Sequence, residues 1–422
     1  MNGDAATAPG RSCAPPDASH EGGIRHGTPA FLRTARALFL AGFASFGLLY
    51  CVQPLLPQFT QVFGVGAASS ALSLSLSTGT LAVSMLAAGI LSDAIGRRPV
   101  MLAALFSSAL LSIASALVDD WSTVLVLRTL LGVSLSGVPA VAMTYLVEEM
   151  DRRSLGLAMG LYIGGNAFGG MSGRLIAGII ADHWGWRAGV LVVSLLALAV
   201  AVLFWRQLPA SRNFHPRRVE LLKLPQRFGT LLGGGAQPWL VLIAFVLMGL
   251  FVTLYNFLGF HLQGAPYHLS QTVVGLIFSL YLIGTFSSAW MGQLATRRGR
   301  GPVLVTSFCL VLGGILLLAT PWLPVIVAGI AIVTFGFFGG HSVASSWVGA
   351  SAGALRAEAS ALYLLSYYLG SSVAGVAGGV FYSTWGWPGV CVFTGSLALV
   401  GLLAVQRLLR RADARVLNPS AG

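Results

Sequence analysis

Charge is what this chain has least of. Asp, Glu, Lys and Arg make up 9% of its 422 residues, where water-soluble domains carry about 25%. Lysine is reduced to Lys223, so the formal charge of +12 is almost entirely arginine. Those arginines are scattered over many short connections and form no single face, which argues against nucleic acid as a partner. The four cysteines, Cys13, Cys51, Cys309 and Cys391, have no C-x-x-C or other metal spacing. Three of them sit in apolar runs and read as small buried hydrophobes, with no disulfide framework. There is no P-loop, no H-E-x-x-H, no G-x-S-x-G and no grouped metal ligands, so neither an enzyme nor a cofactor is expected, and ATP is not the energy source within this chain. Asp and Glu are missing from the middle of every apolar run.

Apolar length is present in excess. The chain is 56% hydrophobic, with a mean hydropathy of +0.81. A core of this length cannot hide that much apolar surface from water, so the lipid bilayer is the solvent. Twelve stretches are long enough to span it, at 34–57, 67–91, 98–118, 121–147, 155–181, 187–207, 238–264, 270–295, 302–320, 323–350, 356–383 and 387–408. Gly, Ala and Ser punctuate them, as close-packed membrane helices require. Residues 1–32 read as a disordered cytoplasmic tail, 33–207 and 238–409 as two six-helix bundles, and 208–237 as a cytoplasmic loop. Residues 410–422 form a second tail. Val219 to Phe228 reads as a short amphipathic surface helix.

Basic residues set the orientation. Arg33, Arg36, Arg97, Arg98, Arg152, Arg153, the central loop, Arg297, Arg298, Arg300, Arg356 and the C-terminal arginines all fall on one side. Both termini are therefore expected in the cytoplasm, with the chain multi-pass in a bacterial inner membrane.

The two bundles repeat each other. Gly89 to Val100 reads G-I-L-S-D-A-I-G-R-R-P-V, and Gly292 to Val303 reads G-Q-L-A-T-R-R-G-R-G-P-V. Trp184-Gly185-Trp186 returns as Trp385-Gly386-Trp387, and Ala158-Met-Gly-Leu-Tyr162 as Ala359-Ser-Ala-Leu-Tyr363. A period this long means duplicated half-molecules. Two like halves of six spans are related by an axis along the membrane normal, and alternating access by rocking them follows from that design.

From about Arg33 to Leu409 the chain resembles the major facilitator superfamily. Gly89-x-Leu91-Ser92-Asp93-x-x-Gly96-Arg97-Arg98 is similar to that family's signature between its second and third helices; the later copy has Thr296 where the first has Asp93. Arg128-x-x-Leu131-Gly132 resembles the R-x-x-Q-G motif, with Leu131 in place of the polar residue. Gly165-Asn166-x-x-Gly169-Gly170 resembles the G-P-x-x-G-G motif of exporters, with Asn166 in place of proline. Tyr145 to Glu149 and Tyr367 to Ser372 are similar to the bacterial drug- and arabinose-efflux-like branch. The resemblance implies an all-α membrane fold of twelve helices in two pseudo-symmetric bundles. It implies a monomer that moves a small organic molecule, drug-like or sugar-like, in exchange for protons. An importer of a sugar, organic acid or anion stays open.

It also implies a conformational switch at Gly89, Asp93, Gly96, Arg97 and Arg98. Asp93 can pair with Arg97 one turn on, and can also face the positive N-terminus of a neighbouring helix, span eleven starting near Arg356. The plainer alternative is a loop anchor that fixes topology. Arg128 and Arg174 lie inside spans, where an unpaired arginine costs roughly 2.5–3.5 kcal/mol on insertion scales. Arg128 either takes Gln53 as partner and handles protons, or binds backbone carbonyls. Arg174 either joins Arg128 in a positive field suited to anionic or zwitterionic cargo, or pairs with Asp182 two turns on. His341 is a candidate proton carrier beside Asp93, Glu148 and Glu149. Tyr50, Gln53, Tyr162, Asn166, Tyr255, Asn256, Tyr363 and Tyr367 are candidate pathway residues, with ordinary helix packing as the alternative for most. Tyr145, Tyr281, Trp290 and Trp347 are read in the same way.

Overall fold

Helices in this protein turn back on single glycines. A computed structural model describes residues 23–214, 216 and 223–417, with side chains described up to Arg411. Helix α1 spans Pro29–Tyr50, followed by a 3-10 turn at Gln53–Leu55, then α2 Leu56–Phe63, α3 Ala67–Ile95, α4 Arg97–Leu117, α5 Trp121–Leu135, α6 Pro139–Glu149 and α7 Arg152–Gln207. Next come α8 Leu224–Leu232, α9 Gln237–Gln263, α10 Gln271–Ile277, α11 Tyr281–Arg298, α12 Arg300–Leu318, α13 Leu323–Ser351 and α14 Arg356–Leu417. Gly96, at φ 103°, is the whole connection between α3 and α4, and Gly299, at φ 87°, that between α11 and α12. A side chain would strain either backbone. The repeated charged turn is thus a pair of equivalent hairpins. Gly185 and Gly386 break α7 and α14 in the same manner.

Ten helical stretches are long and apolar enough to cross a membrane. Two of them, α7 and α14, fold back at their glycines, which makes twelve crossings. An even number returns both chain ends to one side, called here the terminal end. The result is an all-α membrane fold of two similar six-helix bundles, with no strand among the described residues beyond the isolated bridge of Ile24 to Met150.

The glycines of the fifth span have a packing use. A Cβ on Gly165 would run into the carbonyl of Phe39, one on Gly169 into that of Phe43, and one on Gly173 into Gly47. Helix α7 therefore lies against α1 backbone to backbone. The second half repeats the contact, with Gly370 against the carbonyl of Phe245 and Gly249 against Ala374.

Some expectations are corrected. Residues 23–32 are not a disordered tail: Ile24 N–H bonds Glu149 O at 2.8 Å, Asp151 N–H bonds Ile24 O at 3.1 Å, and α1 begins at Pro29 under a Thr28 cap. Residues 1–22 lie outside the described residues, as does Cys13. The amphipathic helix runs Leu224–Leu232, because Pro225 suits a first helical turn; residues 217–222 are outside the description. Cys309 is exposed, on the outer face of α12, whereas Cys51 and Cys391 are buried.

The halves meet at the end opposite the termini. Gln58 donates to Gln271 at 2.5 Å, Gln271 to Pro54 O at 3.0 Å, Ser372 to Ser75 O at 2.7 Å, and Ser371 to Thr78 at 3.4 Å. Asp182 accepts from Thr272 Oγ1 at 2.7 Å and from the first backbone amides of α10. Gly178 lies against Gln271 O and Gly275, and Gly379 against Ala68. Toward the terminal end, a Cβ on Gly156, Gly160 or Gly164 of α7 would meet nothing within 4 Å.

Candidate functional site

The innermost feature is Arg174, 1% exposed on α7. Its Nε donates to Gln53 Oε1 at 2.5 Å and its Nη1 to Gly170 O at 2.6 Å. The guanidinium stands 4.1 Å from the ring centre of Tyr50, 4.5 Å from that of Tyr281 and 5.5 Å from that of Phe278. Aromatic faces attract a cation more strongly where water is excluded. No carboxylate pairs with it among the described residues. Asp182, the alternative partner, instead caps α10. Gln53 passes the contact on, donating from Nε2 to Asn256 Oδ1 at 2.7 Å. This bond joins the halves, since Gln53 belongs to the first span and Asn256 to α9. Asn256 Nδ2 is buried with no hydrogen-bond partner among the described residues, and so is Ser75 Oγ.

The offset that carries Gly185 onto Gly386 carries Arg174 onto Gly375. A Cβ on Gly375 would stand 2.9 Å from Ser75 Oγ and 3.3 Å from Asn256 Nδ2. The two orphan groups thus converge beside the glycine that answers Arg174 in the repeat.

Arg128 behaves differently. It does not bond Gln53. Its Nε donates to Ser73 O at 2.8 Å, Nη1 to Leu48 O at 3.1 Å and Nη2 to Leu49 O at 2.8 Å. The reason is local: α1 stops at Tyr50 and gives way to a 3-10 turn around Pro54, which has no N–H, and the carbonyls just before the break are left to other donors. Arg128 is a structural clamp on that break. All three nitrogens of Arg128 are engaged with carbonyls, whereas Arg174 bonds through Nε and Nη1.

On the second half a wall of rings leads away from Arg174. Tyr281 lies 4.9 Å from Tyr255 and 5.3 Å from Phe251, and Phe251 stacks on Phe337 at 3.8 Å. His341 stands 4.6 Å from Tyr367, and its Nδ1 is 3.1 Å from Tyr363 Oη. Tyr281, His341 and Tyr367 are half-buried. Tyr255 turns away from its neighbour Asn256 and bonds Thr334 at 2.7 Å. Tyr50, Gln53, Arg174, Tyr255 and Asn256 are therefore one cluster, continued by His341, Tyr363 and Tyr367. Asn166 stands apart: its Oδ1 crowds Gly42 of α1, a packing position between spans, and Tyr162 is one turn before it on the same face. Tyr145 bonds Pro209 O at 3.1 Å and serves the central connection. Phe251, Phe278 and Phe337 carry no sequence signal that separates them from ordinary core, and only their contacts reveal them.

The charged turn forms a second site, at the terminal end. Arg97 Nη1 lies 2.5 Å from Asp93 and donates to Ser92 Oγ at 2.7 Å. Its other edge is bidentate to Glu148, at 3.1 and 2.7 Å. The Asp93 to Arg97 pair is as the spacing implies, whereas the partner of Asp93 in this structure is Arg97 and not the start of α14. Glu149 accepts the backbone amides of Arg212 at 2.7 Å and Asn213 at 3.0 Å, and Phe214 lies 5.5 Å from Arg97. Arg98 donates to Trp205 O at 2.8 Å. A Cβ on Gly89 would meet nothing within 4 Å.

Comparison with known proteins is consistent across the chain. The family model described as Major Facilitator Superfamily matches residues 38–265 and 261–422. The chain is 47% identical to the inner membrane transport protein YnfM of Escherichia coli (strain K12), over 93% of this chain and 94% of that protein. It is 44% identical to the uncharacterized MFS-type transporter YybF of Bacillus subtilis (strain 168), over 90% and 94%. Among solved structures it is similar in fold to a bacterial homologue of the human lysosomal transporter Spinster in an inward-facing, occupied conformation. That match has a TM-score of 0.67 at 15% identity and covers 94% of this chain and 98% of that one.

Proposed function

The chain belongs to the major facilitator superfamily, and from that premise we propose that this multi-pass membrane transporter exports a small organic molecule in exchange for protons by alternating access. The observation that carries the reading is the one-ended closure of the two halves. Their mutual hydrogen bonds run from the end opposite the termini, at Gln58–Gln271, to mid-span, at Ser372–Ser75. At the terminal end Arg97 is held by Asp93 and Glu148, all three from the first half. Two bundles joined at one end can exchange that closure for one at the other by rocking. In this reading Asp93 and Arg97 are the switch, and His341, Glu148 and Glu149 are the candidate proton carriers. The protein acts as a monomer in a bacterial inner membrane, the location in the name of YnfM, with both termini in the cytoplasm.

Import by the same fold is the second reading, favoured by the absence of any mid-span carboxylate. Everted vesicles with a pH-sensitive dye separate the two. Adding amphiphiles, sugars and organic acids to energised vesicles should release protons for the true cargo of an exporter. If none does so while whole cells accumulate a solute through this protein, import is correct.

A further inference from the structure

We propose that Arg174 is the binding site for the carboxylate of a planar, largely apolar cargo, and that Gln53 holds its place until the cargo arrives. This assignment rests on the transport reading and names its substrate class.

The chemistry is that of an arginine whose counter-ion must come from outside. A buried guanidinium is stabilised by a carboxylate far better than by an amide. Here the core supplies only Gln53 Oε1 and Gly170 O, through Nε and Nη1. Among the described residues no carboxylate reaches it: Asp182 holds α10, and Asp93 and Glu148 hold Arg97. A neutral sugar would leave the charge unmatched, and a cation would be repelled.

Tyr50 and Tyr281 flank the guanidinium, and Tyr281 is half-buried, on the accessible side. Flat ring faces suit a flat apolar body. Asn256 meets the amide of Gln53 with its Oδ1, and its fully buried, unpartnered Nδ2 faces the other way, beside Gly375. A buried guanidinium that ends on a neutral amide between two ring faces forms a carboxylate site.

The same amide couples binding to movement. Gln53 accepts from Arg174 and donates across the halves to Asn256. A carboxylate on Arg174 frees Gln53 and loosens a bond that keeps the opposite end shut. Cargo thereby favours the state that lets it pass.

The test uses purified full-length protein in detergent. The probes are benzoate, 4-hydroxybenzoate and 2-naphthoate, each against its neutral carboxamide, read as shifts in thermal midpoint. At least one carboxylate should raise the midpoint saturably and its carboxamide should not. Arg174→Gln should weaken that response about tenfold or more. Gln53→Glu supplies the carboxylate from within, so it should raise the resting midpoint and abolish the response. Silence from all three carboxylates, equal response to a carboxamide, or an unchanged response in Arg174→Gln would overturn the assignment. Should Arg174→Gln not fold, an unchanged response in Gln53→Glu overturns it instead. Dye flux keeps the two readings apart. Flux with neutral or cationic compounds alone removes the carboxylate site and leaves the transporter. Carboxylate binding through Arg174 with no flux of any class leaves the site and removes transport.

Discussion

Arg128 and Arg174 present one sequence problem, an arginine in an apolar helix with no acid at its depth, and the structure answers it in two ways. Two of the donor nitrogens of Arg128 end on carbonyls at the break in the first span and the third on Ser73 O of α3. Arg128→Leu would strand Leu49 O, at about 1–3 kcal/mol for a buried group left unsatisfied, and would leave Leu48 O and Ser73 O to Cys51 Sγ and Ser77 Oγ alone among side chains. The expected result is a much lower unfolding midpoint in detergent, with Arg128→Lys recovering part of it. A midpoint within a degree of wild type would contradict the clamp. That Arg128 and Arg174 need partners was legible in the sequence, since arginine identity and span depth suffice. Which partner each takes was not, because Gln53 is far from both along the chain and local spacing favours neither. The choice depends on how the 3-10 turn at Gln53–Leu55 aims that side chain. Asp93 shows the opposite case: spacing of one helical turn was enough to give Arg97 as its partner, while Glu148, fifty-one residues from Arg97, was beyond reach of local spacing.

Elements were more legible than residues. Run length gave twelve spans, and the repeated glycine turns gave the halves, because a one-residue hairpin at positive φ admits little besides glycine. What pattern alone could not supply was the use of each small residue within a span. Gly164 and Gly169 lie in the same run of α7. A Cβ on Gly169 would run into the backbone of α1 at Phe43, and one on Gly164 would meet nothing within 4 Å. Gly169→Ala should therefore force the helices apart and destabilise by about 1–3 kcal/mol, as overpacking does. Gly164→Ala should be neutral or slightly stabilising, through better helix propensity. Thermal midpoints of the two variants, compared side by side, check both directions. The tail boundary failed for a related reason. Residues 23–28 are polar and Gly-containing, as disorder would require, yet their order comes from backbone bonds to Glu149 and Asp151 that composition does not encode.

For the whole molecule, the contacts between halves make one end a hinge-side seal in this state. A Cβ on Gly178 would lie 3.5 Å from Gly275 Cα, and one on Gly275 3.9 Å from Gly178 Cα. Cysteines at both positions are thus within disulfide reach. Oxidation of the Gly178→Cys, Gly275→Cys pair should stop flux in vesicles, and reduction should restore it. Full flux in the oxidised protein would mean that spans five and eight need not part, and rocking would be the wrong motion.

The mismatch between Arg174 and Gly375 has one more effect. Halves that duplicate each other would offer any bound molecule two interchangeable poses, related by the axis between them. With a positive group on one side and bare backbone on the other, that equivalence is gone. On the carboxylate-site proposal, a bound molecule has one orientation about that axis instead of two, with its acidic end toward Arg174.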